Sequence, residues 1–220
     1  MKGVLLDLDG VIADTAVYHF AAWHHLVKKH FNAELPDKLE EKTKGVSRED
    51  SLHIILDFLG IQVSQEKFTA LAAEKNQAYV KALDALSEKD ILPGIKDLLN
   101  DFKKHNIKIS LASASKNGPL ILEKLGLTDY FDAIVDPAKV TAGKPAPDIF
   151  LAAAFALNIS PYDCVGIEDS VAGVKAINSA GSVSIGVGGD ELNHADKRFN
   201  STADLNYQDI LEAWKANNHN

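Results

Sequence analysis

Five short apolar runs, Val4–Leu8, Ile107–Ala112, Ala133–Val135, Cys164–Ile167 and Val183–Val187, alternate with stretches in which apolar residues recur at helical spacing. This alternation constrains the fold more than any other feature. Strands separated by helices lie parallel, and right-handed crossovers place those helices on both faces of the sheet. Punctuation supports the helical stretches: Pro93-Gly94 opens one through Phe102, Gly126 stops another after Leu125, Asp148–Ala156 forms a third, and Gly181 ends the one over Val171–Ala180. The expected architecture is therefore α/β, a Rossmann-like parallel sheet core.

Between the first two runs the pattern is different. Phe20, Trp23, Leu26 and Val27, then Leu52, Ile55, Leu56 and Leu59, then Phe68, Leu71, Ala72, Tyr79 and Val80 follow helical spacing with no strand among them. The reading is an inserted helical cap domain, 15–87, in a core domain made of 1–14 and 88–220. Lys215 to Asn220 reads as a frayed tail.

In parallel sheets of this kind ligands bind outside the carboxyl ends of the strands, and here those ends carry Asp7/Asp9, Ser113 and Glu168/Asp169. A net charge of −8 argues against nucleic acid or an anionic membrane surface as partners, so an anionic substrate requires a local positive site. Cys164 is the only cysteine, which rules out an intramolecular disulfide and suits the cytoplasm. The apolar start is cut by Asp7 and Asp9 short of signal-peptide length, and no stretch reaches bilayer length, so a soluble, unprocessed chain is expected.

Asp7 and Asp9 stand at i and i+2, facing one side of a regular strand, with Gly10 letting the chain turn close to a ligand. Such a pair suits metal ligation, attack on phosphorus or proton transfer, and equally suits a polar strand end that caps a helix. Ser113 and Lys144 offer a hydroxyl and a cation for a phosphoryl group, and Glu168-Asp169 offers hard oxygen donors of the kind magnesium takes. Ser47-Arg-Glu-Asp50 reads as a helix N-terminus, which places Arg48 in a first turn where its charge opposes the helix dipole; an anionic ligand accounts for it better. Thr15, His19 and Trp23 share one helix face at i, i+4 and i+8. Lys75 lies in a polar helix face and, by itself, reads as solvated. The remaining histidines, 24, 25, 30, 53, 105, 194 and 219, have no metal-ligand spacing.

Four segments, Asp7-Leu-Asp9-Gly10-Val11-Ile12-Ala13-Asp14-Thr15, Leu111-Ala112-Ser113-Ala114-Ser115, Gly143-Lys144-Pro145-Ala146-Pro147-Asp148 and Gly166-Ile167-Glu168-Asp169-Ser170, resemble in order the four motifs of the haloacid dehalogenase superfamily. Further segments, Thr15 to His19 with Trp23, Lys44-Gly45-Val46-Ser47-Arg48-Glu49-Asp50-Ser51, and Ser113 to Pro119, resemble its sugar-phosphate mutases. The resemblance implies reversible conversion of β-glucose 1-phosphate to glucose 6-phosphate through an aspartyl-phosphate enzyme; the alternative is a sugar-phosphate phosphatase. It also implies one Mg2+ per active site, held by Asp7, Glu168, Asp169 and the main-chain carbonyl of Asp9. Glucose 1,6-bisphosphate or another phosphoryl donor acts as primer. Asp7 is then the nucleophile and Asp9 the general acid and base. Ser113, the Ala114 amide and Lys144 cradle the reacting phosphate, while Arg48 and Ser115-Lys116-Asn117 hold the distal one. Thr15, His19, Trp23, Gly45, Val46, Ser51 and Lys75 complete the substrate contacts. Small-molecule sugar phosphates are the implied partners, with the chain a monomer.

Overall fold

In the computed structural model, which describes residues 1–217, the chain opens with β1 (Gly3–Leu6) and continues through α1 (Ala16–Phe31), α2 (Lys38–Thr43), α3 (Arg48–Leu59) and α4 (Gln65–Ala82). The alternating part follows as α5 (Ile95–Lys104), β2 (Lys108–Leu111), α6 (Gly118–Lys124), β3 (Ala133–Ile134), α7 (Asp148–Ala156), β4 (Cys164–Glu168), α8 (Val171–Ala180), β5 (Val183–Val187), β6 (Lys197–Phe199) and α9 (Tyr207–Asn217). All pairings are parallel, in the order β3-β2-β1-β4-β5-β6. The expected Rossmann-like architecture with a helical insertion after its first strand is thus the observed one.

Two expectations need correction. β6 lies outside the five expected strands, because Lys-Arg-Phe carries no apolar patterning; as an edge strand paired only to β5 it needs little. Lys215–Asn217, read as part of a frayed tail, form the last turn of α9, whose buried Ile210 and Ala213 dock it on the core. The rest of that tail, His219 included, lies outside the described residues.

Along β1 the period-two alternation feeds two cores. Val4 and Leu6 join Leu98, Phe102, Ile109 and Ile210 on one face, whereas Leu5 packs with Phe150, Ala153, Ala176 and Ile177 on the other. The insertion has an apolar cluster of its own, with Trp23, Leu26, Leu52, Ile55, Phe68 and Leu71 at its centre. Ala22 and Tyr79 face instead toward Leu8, Val11 and Ile12 of the sheet layer. The two connections run side by side, since the Leu92 amide donates to the Ile12 carbonyl at 2.9 Å and Ala13 bridges Ile91. Among the described residues no helix is long and apolar enough to cross a membrane.

Gly166 sits in β4 beneath α8, where a Cβ would stand 2.5 Å from Ile177 Cγ1 and 2.6 Å from its Cδ1. Gly166→Ala is expected to destabilise the protein by about 1–3 kcal/mol through overpacking. Urea unfolding should show a lower midpoint with an unchanged slope.

Candidate active site

The strand order reverses between β1 and β4, and the chemistry-bearing residues gather at that switch point. Pairing along β1 ends at Leu6, although the Asp7 amide still donates to the Ile167 carbonyl at 3.0 Å, which levels Asp7 with Glu168. Beyond it the chain turns tightly: the Ile12 amide reaches back to the Leu8 carbonyl at 2.8 Å, and Gly10 adopts φ +76°. Asp7 and Asp9 therefore do not share a strand face as expected. The turn sends their side chains to different partners.

Lys144, from the loop before α7, places Nζ 2.6 Å from Asp7 Oδ1 and 2.7 Å from Glu168 Oε2, with all three side chains buried. Burial alone would lower the lysine's pKa, but the two carboxylates outweigh it and hold the ammonium charged. The other Glu168 oxygen accepts from the Asp169 and Ser170 amides at 3.2 and 3.0 Å and from the Ser170 hydroxyl at 2.8 Å. Glycines make room: a Cβ at Gly173 would stand 1.9 Å from Glu168 Cδ, and one at Gly10 would stand 1.7 Å from Asp169 Oδ2.

Asp7, Glu168 and Asp169 each offer an oxygen within 4.8 Å of the others. Asp169 Oδ1 is buried without a hydrogen-bond partner, and Oδ2 pairs with Lys44 Nζ at 2.8 Å. Burial, then the Glu168 charge, push the Asp169 carboxyl up to about 7 and raise that of Asp7 well above its ordinary value. Three hard oxygens, one of them orphaned, in a pocket short of positive charge fit a divalent cation such as Mg2+. The Asp9 side chain is not one of the three.

Asp9 instead accepts a short hydrogen bond from the Thr15 hydroxyl, and its Oδ1 lies 3.7 Å from His19 Nε2. Thr15 heads α1 without capping it, because its hydroxyl is diverted to Asp9. Burial raises the Asp9 pKa, partly offset by the Thr15 bond. His19 stacks on Tyr79 at 3.8 Å and contacts Lys75 Nζ through Nδ1 at 2.5 Å. Burial, then Lys75 and Arg48, hold its pKa well down, so the ring is neutral, and with Nδ1 accepting from the lysine it presents Nε2–H to Asp9. Lys75 is only 2% exposed, over the rings of Trp23 and Tyr79, which overturns its reading as a solvated lysine.

A cavity joins these groups. Asp7 and Asp9 line it together with His19, Trp23, Gly45, Val46, Arg48, Ser51 and Lys75 of the insertion and Ala114, Ser115, Lys116 and Asn117 after β2. Thr15, Ser113, Lys144, Glu168 and Asp169 lie outside this lining; Thr15 supports Asp9, and Lys144 and Glu168 support Asp7. Ser113 is buried just beyond β2, where its Oγ accepts from the Ser115 amide at 3.0 Å. Arg48 Nε is buried without a hydrogen-bond partner, 3.9 Å from Glu49. The insertion touches the sheet layer through Lys116–Glu49 and Asn117–Asn76, each at 3.0 Å, and through Lys44–Asp169. Lys44 and Glu49 belong to the segment that resembles the mutases, but neither they nor Asn76 are among the expected site residues. Lys44 carried a signal in its place beside Gly45, but a lysine after the polar α2 looks like solvated surface.

Burial, opposed by the Asp9 charge, lowers the Lys75 pKa from 10.5 to about 7. Below that pH the lysine is charged in both the folded and unfolded states and its burial cost is fully present; the cost is relieved as pH rises toward 10.5. Lys75→Met should therefore stabilise the fold at pH 7 by on the order of 2–4 kcal/mol. The gain should shrink toward pH 10, as denaturant titrations at the two pH values would measure.

The sequence profile of haloacid dehalogenase-like hydrolases matches residues 1–181. A beta-phosphoglucomutase from Bacillus subtilis is 46% identical, over 98% of this chain and 96% of its own. A phosphorylated carbohydrates phosphatase from Thermotoga maritima is 33% identical over 82% of each chain. The crystal structure of a beta-phosphoglucomutase from Clostridium difficile superimposes with a TM-score of 0.95 at 44% identity, covering 98% of both chains. With the family profile matched over most of its length and relatives this similar across nearly the whole of it, the chain belongs to the haloacid dehalogenase-like hydrolase family.

Proposed function

We propose that this chain is an isomerase, a phosphomutase that interconverts β-D-glucose 1-phosphate and D-glucose 6-phosphate. One observation carries the reading beyond family membership: a single cavity is lined both by Asp7 and Asp9 and by Arg48, Lys116 and Asn117, so a sugar bearing two phosphates finds there a reacting carboxylate pair and counter-groups for a phosphate. The full-length similarity to beta-phosphoglucomutases supports the same choice. Residues 15–87 act as a cap on a core of 1–14 and 88–220, and the enzyme works as a cytoplasmic monomer.

Asp7 attacks phosphorus in line through a carboxylate oxygen, oriented by Lys144, whose charge persists because two carboxylates hold it. Mg2+, when bound by Asp7, Glu168, Asp169 and the main-chain carbonyl of Asp9, neutralises the oxygens of the transferred phosphoryl group. Asp9 exchanges the proton. From the phosphorylated enzyme it takes the proton of the C6 hydroxyl of β-glucose 1-phosphate as that oxygen attacks, giving glucose 1,6-bisphosphate. After the intermediate turns round, Asp9 returns the proton to the C1 oxygen as the phosphate there passes to Asp7, releasing glucose 6-phosphate. Its raised pKa suits it to the protonated half of this cycle, and Thr15 and His19 aim it. Ser113, the Ala114 amide and Lys144 cradle the reacting phosphate. Arg48 with Ser115, Lys116 and Asn117 holds the distal one, and the closed insertion, carrying Gly45, Val46, Ser51, Trp23 and Lys75, keeps water from competing. Glucose 1,6-bisphosphate or another phosphoryl donor primes Asp7.

Phosphorus NMR of enzyme with β-glucose 1-phosphate, Mg2+ and a bisphosphate primer tests the proposal. Glucose 6-phosphate should replace the starting resonance; release of inorganic phosphate alone would make the enzyme a phosphatase. Asp7→Asn should abolish turnover, and Asp9→Asn should lose roughly 10²- to 10⁴-fold while retaining Mg2+ affinity.

Arg48→Ala removes a charge-assisted contact worth roughly 1.5–3 kcal/mol, so mutase efficiency should fall about 10- to 200-fold. Hydrolysis of enzyme phosphorylated by acetyl phosphate should fall much less, since water needs no distal phosphate. Equal losses in the two rates would place Arg48 in the core chemistry or the fold instead.

A further inference from the structure

Lys44 lines not one cavity but two. Beyond it lies a second cleft of about 520 Å³, where α2 meets the loops that follow β1 and β6. Its polar wall carries Asp14, Glu40, Glu41 and Asp169, and among the described residues that line it Lys44 is the one cation. The sugar-phosphate cavity is mixed in charge, lined by Lys44, Arg48, Lys75 and Lys116 and also by Asp7, Asp9, Glu40 and Glu49. The second cleft, with four carboxylates to one ammonium, therefore draws a cation more strongly than the mixed cavity does.

The acidic cleft reaches a buried carboxylate that is only half partnered. Asp169 is 7% exposed, and its Oδ1, without a hydrogen-bond partner, belongs to the carboxylate that lines the cleft. Its Oδ2 is held by Lys44 Nζ at 2.8 Å, and Lys44 comes from the insertion, whereas Asp169 belongs to the sheet layer. Gly10 keeps this place open, since any Cβ there would collide with the Asp169 carboxylate. A buried carboxylate must be paired with something, and an ammonium on a flexible stem is a pairing that an arriving cation can displace.

We propose that the acidic cleft is the route by which a divalent cation reaches Asp169, and that Lys44 is the surrogate charge that occupies the Asp169 carboxylate until the cation displaces it. This rests on the reading of Asp7, Glu168 and Asp169 as the metal site. Glu40 and Glu41 act as steering charges, and Lys44 as the group that alternates with the metal. Substrate and metal then load through separate openings, even with the insertion seated on the sheet layer.

The test uses Mn2+ with the full-length protein, free Mn2+ being followed by stopped flow with a metal-sensitive dye. In Glu40→Gln/Glu41→Gln the association rate should fall about three- to tenfold at low ionic strength, with the gap closing at about 1 M salt and the dissociation rate little changed. A control, Asp57→Asn/Glu66→Gln, removes the same charge from the exposed surface of the insertion and should leave the rate at the wild-type value. Lys44→Met should tighten Mn2+ binding about three- to tenfold, because the metal no longer competes with an internal cation. An unchanged association rate in the Glu40/Glu41 variant, or an equal fall in the control, would overturn the route; unchanged or weaker binding in Lys44→Met would overturn the surrogate. Asp169→Asn is the separate check on the metal site itself. Wild-type Mn2+ affinity in that variant would overturn the site and the route with it, whereas a loss there beside unaffected Glu40/Glu41 and Lys44 variants would overturn this proposal alone.

Discussion

The buried ammonium of Lys144, 2.6 Å from Asp7 and 2.7 Å from Glu168, is the interaction on which the site depends. Parallel strands deliver their carboxyl ends to one place, and here that delivery brings Asp7, Glu168 and Asp169 within a few ångströms of one another, in a region from which water is largely excluded. Carboxylates so placed repel each other and resist ionisation. Lys144 supplies one charge that offsets this and leaves the cluster still negative. The site is thus poised to take a further cation, and the raised pKa values of Asp7 and Asp169 express that shortage. A well-packed apolar core on both sides of β1 tolerates such frustration at its edge.

The insertion solves the complementary problem. A chain with a net charge of −8 has to gather cations where a phosphate ester binds, and it does so by bringing Arg48 and Lys75 from the helices against Lys116 from the sheet layer. Each is partnered in a way that a ligand can alter. Lys75 rests on two aromatic faces and a neutral histidine, Lys116 pairs with Glu49, and Arg48 Nε has no hydrogen-bond partner. Burying cations this poorly neutralised costs stability, which a doubly anionic ligand restores on binding.

Much of this was legible in the sequence because the relevant rules are local. The apolar runs gave five of the six strands, and the glycines at 126 and 181 ended helices where expected, both with positive φ. Ser47 caps α3 by accepting from the Asp50 amide at 3.1 Å, as the Ser47–Asp50 pattern implied. β6 escaped because an edge strand buries little. Lys44 and Glu49 escaped for another reason: a charged residue beside a polar helix looks the same whether it faces solvent or another layer, and only the packing of the insertion distinguishes the two.

The sequence by itself determined the alternation that forces a parallel sheet, the insertion point after β1, and the residue types that reach the carboxyl ends of the strands. These follow from short-range sterics, periodicity and motif order, which are written in consecutive residues. What only the tertiary structure decided is who faces whom: that Lys75 is buried rather than solvated, that Asp7 and Asp9 part company at Gly10, and that Lys44 reaches Asp169 across 125 positions of chain. Electrostatic partnership depends on distance in space and on the exclusion of water, and neither is fixed until the layers have packed.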